Sequence, residues 1–153
     1  MAELIIDSNY YNKLDIEGFS KMMSSPSYCY KFYWLEAIVQ LISANRTEAT
    51  YDEIINKMIA NAWFPVQEYH IHLSGIYGDG DVKDNLEKAV SGLYELTQLP
   101  SNANEIQIMN KLAEFSDDKE LHSYKTELTK NVPYKALSGF ANKGTEKINL
   151  ESS

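Results

Sequence analysis

Glu68, His70 and His72 stand at alternate positions in "VQEYHIHLSG", and a carboxylate with two imidazoles is a set that can hold a divalent metal. On a β-strand, residues i, i+2 and i+4 project to one face, so the three would converge on a single ion. Tyr69, Ile71 and Leu73 alternate with them, which predicts a short half-buried strand element near 66–73. A structural zinc site needs a fourth ligand, and a catalytic one needs water with groups to orient it. No Cys or further His lies nearby, and Asp79 or Asp81 would have to fold back. The favoured expectation is therefore a solvated strand face, with no metal bound.

The carboxylates of "GDGDVKD" suggest calcium, but an EF-hand loop needs Gly at its sixth position and Glu at its twelfth. Counted from Asp79, those positions hold Asp84 and Val90, so a turn feeding a capped helix is expected instead. Cys29 lies in an aromatic run, where a thiol behaves as a small hydrophobe. His122 reads as a helix surface residue. No G-x-S-x-G, phosphate loop or dinucleotide turn occurs. Neither a cofactor nor an enzyme complete within these residues is expected.

Basic residues gather toward the C-terminus at Lys119, Lys125, Lys130, Lys135, Lys143 and Lys147, with Tyr124 and Tyr134 among them. Lysines and a stacking ring could follow a phosphate backbone. Glu114, Asp117, Asp118, Glu120 and Glu127 interleave with them, which favours a mixed solvated face. The net charge of −8 also argues against a free-standing nucleic-acid binder, because phosphate contacts supply most of such affinity.

The elements that would carry these residues are mostly helical. "SYCYKFYWLEAIVQLI" (27–42) has a narrow polar stripe at Glu36, Gln40 and Ser43, and is otherwise apolar, which predicts a central core helix. Before it, Ile16, Phe19, Met22 and Met23 follow an Asp15 cap, until "SSPS" breaks the pattern. Thr50 and Glu53 form a capping box, Ile54 to Trp63 trace an apolar face, and Pro65 is expected to stop that helix. Asp81 is expected to cap the next helix, an Asn102–Glu105 box the one after, and Ser116 the last. The expectation is one mostly α domain over 1–140, a bundle of five or six helices with the strand element, and a polar disordered tail at 141–153. There is no signal pattern in "MAELIIDSNYY" and no membrane span, and one cysteine suits a reducing cytoplasm.

Two longer words carry a resemblance. Tyr30-Lys31-Phe32-Tyr33-Trp34-Leu35 and Met58-Ile59-Ala60-Asn61-Ala62-Trp63-Phe64-Pro65-Val66, then Leu73-Ser74 and "NVPYKALSGF" (131–140), resemble the N-terminal helical region of bacterial HNH endonuclease-domain proteins of the restriction or defence type. The resemblance spans about residues 10–140. Family members carry the nuclease's His general base and metal-binding residue downstream of that region. His70, His72 and His122 match neither role, so no catalytic residue is transferred. The resemblance implies a non-catalytic helical module that contacts DNA or positions a nuclease domain, and with the basic strip it makes Lys31, Lys125, Lys130, Tyr134 and Lys135 the DNA-contact candidates. Lys31, Trp63 and Pro65 also read plainly as snorkelling base, core anchor and helix stop. The alternative function is a protein-interaction or regulatory domain of a defence operon that binds no DNA, its acidity suited to a basic partner.

Overall fold

In the computed structural model, residues 15–24, 29–73 and 84–137 are described, except for the side chains of Met23 and residues 133–137. They form six helices: α1 (Ile16–Ser24), α2 (Tyr30–Ser43), α3 (Tyr51–Tyr69), α4 (Asn85–Thr97), α5 (Glu105–Glu114) and α6 (Lys119–Leu137). No strand occurs among the described residues. The expected strand near 66–73 is instead the last turn of α3 and the chain that leaves it.

The bundle is organised around α3, which packs against α2, α4, α5 and α6. Its start is the expected box: Thr50 Oγ1 accepts from the Glu53 amide (3.2 Å) while Glu53 Oε2 accepts from the Thr50 amide (2.8 Å). The amide bond from Thr50, then Arg46, hold the Glu53 carboxyl below its usual pKa of 4.5. Ile54, Ile55, Met58, Ile59, Ala62, Trp63 and Val66 are all buried, the apolar face read from the sequence. Trp63 is fully enclosed and donates from Nε1 to the Pro100 carbonyl (3.0 Å), tying the α4–α5 connection to the core.

Pro65 does not stop α3, which runs on to Tyr69. Proline removes one bond from the ladder, here to the Asn61 carbonyl, but packing of the flanking Trp63 and Val66 keeps the helix going. The helix ends where His70 turns left-handed (φ 50°), and the amides of His70 and Ile71 both reach back to the Pro65 carbonyl.

Elsewhere the helix boundaries move by a few residues. Asn104 and Gln107, not Asn102 and Glu105, make the capping box of α5. Asp118 rather than Ser116 precedes α6 and accepts from the Leu121 amide (2.9 Å). Asp84 caps α4, and Asp81 lies outside the described residues. The aromatic helix α2 is less central than its composition suggests. Tyr30 and Ala37 are buried, and Tyr33, Trp34, Ile38 and Leu41 pack against the core, but Val39 and Ile42 are exposed. α6 lies against α4 with the Tyr124 ring beside Gly92, and buries Leu121, Leu128 and Val132. No helix among the described residues is long and apolar enough to cross a membrane.

Candidate functional site

The segment leaving α3 meets the first turn of α4 at a single carboxylate. Asp84 Oδ1 accepts from the Glu87 amide (2.8 Å), the ordinary N-cap arrangement. The Glu87 side chain reaches across instead of back to its own cap. Its Oε2 accepts from the Leu73 amide (3.1 Å), and its Oε1 lies 3.0 Å from His72 Nδ1. Glu87 is 3 % exposed, and its buried oxygens face those partners at the positive end of the α4 dipole. The other oxygen of Asp84, Oδ2, is buried without a hydrogen-bond partner. Burial is the main cause that pushes the Asp84 carboxyl above its usual 3.8, and the neighbouring Glu87 charge adds to it.

Beside this junction lies an open cleft of about 230 Å³. Val66, His70 and Ile71 line its α3 side, and Glu87, Tyr94 and Glu95 line its α4 side; His72 also borders it. Among the described residues that line it there is no lysine or arginine. Tyr94 is backed by Trp63, with ring centroids 6.4 Å apart. Phe64 and Tyr69, both exposed, stack edge to face at the same end of α3 (5.4 Å).

The three residues that could have shared a metal are separated by the helix end. Glu68 sits on α3 and its Oε2 accepts from Ser101 Oγ, His70 occupies the left-handed cap, and His72 turns to Glu87. Among the described residues no group of three His, Cys, Asp or Glu could hold a metal ion. What sequence reasoning missed here is Glu87. It lies fifteen residues beyond His72 in the sequence, and its only local mark is a helix-cap spacing.

Three of the lysines named from the sequence are engaged within the fold. Lys31 is 4 % exposed, donates from Nζ to the Met22 carbonyl, and lies 5.3 Å from the centre of the Phe32 ring. Burial lowers its ammonium pKa from 10.5, an effect the nearby Cys29 opposes. Lys125 is paired with Asp52 of α3, its side chain 14 % exposed, and Lys130 is paired with Glu127 on the same helix (3.0 Å). Tyr134 and Lys135 fall on the α6 backbone, and their side chains lie outside the described residues. Cys29 is partly buried at the start of α2, and His122 is exposed.

The described residues therefore include a concave site, acidic and aromatic, and several basic side chains already engaged elsewhere. No protein-family model, no curated protein and no solved structure matches the chain.

Proposed function

We propose that this chain is a non-catalytic recognition module that contacts another protein through the α3–α4 end of its bundle. The resemblance of the Tyr30–Leu35 and Met58–Val66 words suggests that the protein so contacted or positioned is a nuclease of the HNH type. The observation that carries the reading is the division of the surface. Lys31, Lys57 and Lys125 are largely buried or paired with groups of the fold, whereas Ile71 and Tyr94 are exposed at the cleft and Phe64 and Tyr69 are exposed at the same end of α3. Exposed aromatic side chains around a concavity are what protein interfaces use as anchors. A phosphate-binding surface instead needs several unengaged cations.

Contact with DNA is the second reading, supported by the lysines that α6 does expose, Lys119 and Lys130. Fluorescence anisotropy of a labelled duplex, titrated at low and at physiological salt, separates the two. The protein-contact reading expects no binding at either salt. Affinity that falls log-linearly with salt would replace it with DNA recognition by α6.

A further inference from the structure

We propose that the α3–α4 cleft binds a basic peptide segment, taking one arginine or lysine side chain between the Glu87 and Glu95 carboxylates and the Tyr94 ring. This rests on the protein-contact reading and gives the partner its chemistry.

Charge complementarity is the main support. Several acidic side chains elsewhere are paired with a lysine or arginine: Glu17 with Lys21, Glu53 with Arg46, Asp52 with Lys125, Glu105 with Lys57. Among the described residues that line it, the cleft has two carboxylates and no lysine or arginine. One of them is held in place before any ligand arrives. Each oxygen of Glu87 accepts one bond, from Leu73 N or His72 Nδ1, and keeps a lone pair for a second donor. A fixed acceptor costs less ordering entropy on binding than a free surface glutamate would.

The remaining walls suit a basic side chain along its whole length. Tyr94 is 38 % exposed, and its contact with Trp63 braces the ring that would face a cation. Val66 and Ile71 offer apolar surface to the methylene stem. The volume, about 230 Å³, lies below the roughly 300–1,000 Å³ of small-molecule sites, and fits one inserted side chain better than a cofactor.

The test is an NMR titration of the ¹⁵N-labelled chain at pH 8 with a hexa-arginine peptide, beside a hexa-glutamate peptide. Amide shifts are expected in 66–72 and 87–95. The affinity for hexa-arginine is expected to fall about tenfold in Glu95→Lys and less than about twofold in Glu120→Lys, which makes the same charge change on an exposed α6 position. Equal losses in the two variants, or shifts spread over the surface, would reduce the binding to net charge and overturn the proposal. Cleft shifts with hexa-glutamate alone would overturn the basic partner and leave protein recognition standing. Salt-dependent duplex binding is the separate result that removes the underlying reading.

Discussion

Glu87 is one side chain with two structural duties, and removing it separates them. Glu87→Ala leaves the buried Leu73 amide without an acceptor, while His72, its side chain 64 % exposed, can turn to water. Only the amide then counts, and the expected loss is roughly 1–3 kcal/mol in urea unfolding. Glu87→Gln keeps a carbonyl oxygen for Leu73 and should recover most of it. Asp84 gives the opposite sign. Its folded carboxyl, pushed up mainly by burial, holds a proton more tightly than the unfolded chain does. Its contribution is thus full below pH 3.8 and lost as pH rises through the folded value. Asp84→Asn preserves a capping oxygen and carries no charge, so its unfolding midpoint should match wild type in acid and exceed it at neutral pH. A variant equal to or weaker than wild type at pH 7 would mean that the buried charge is not what costs stability there. The Glu87 contacts were invisible in the sequence because the pairing joins segments fifteen residues apart. The alternation of His70 and His72 pointed to a strand that the helix end pre-empts.

Among the elements, α3 shows where local rules hold and where tertiary packing overrides them. Thr50 and Glu53 were legible because a box needs only two side-chain types at one spacing, and both bonds form. Pro65 was misread because its rule concerns an isolated helix. An interior proline costs roughly 3 kcal/mol, of which its stiffening of the unfolded chain returns about 0.4–1, so Pro65→Ala should stabilise by about 2 kcal/mol. Urea unfolding with an unchanged slope would show it, and a loss would mean that the Pro65 ring is part of the packing. At α5 the spacing rule fits both Asn102–Glu105 and Asn104–Gln107. The turn that brings the Ala103 amide to the Pro100 carbonyl, with Pro100 also bound by Trp63, selects the second pair. With that start, Ile106 is 72 % exposed, while Ile108 two positions on is buried.

Across the whole molecule the class of fold was readable and its centre was not. Composition and periodicity indicate a mostly helical bundle, with a strand element near 66–73 that does not form, and the aromatic density of α2 nominates it as the core. Burial places that role on α3, because seven of its side chains are enclosed by four neighbouring helices. Hydrogen exchange should follow this arrangement. Amides of α3 between Ile55 and Trp63 are expected to exchange slowest, at the rate of global unfolding, and those of α1 fastest. Comparable protection in α1 would show that the bundle opens as one unit. The hub also governs how such a protein can drift over generations. A change at Met58 or Trp63 has to be accommodated by several helices at once, whereas Ile106 or Val39 can be replaced with little effect on the rest. Descendants of this chain are expected to lose most of their outer residues while keeping the apolar spacing of Ile54 through Val66, so shared ancestry would survive as the pattern of one helix.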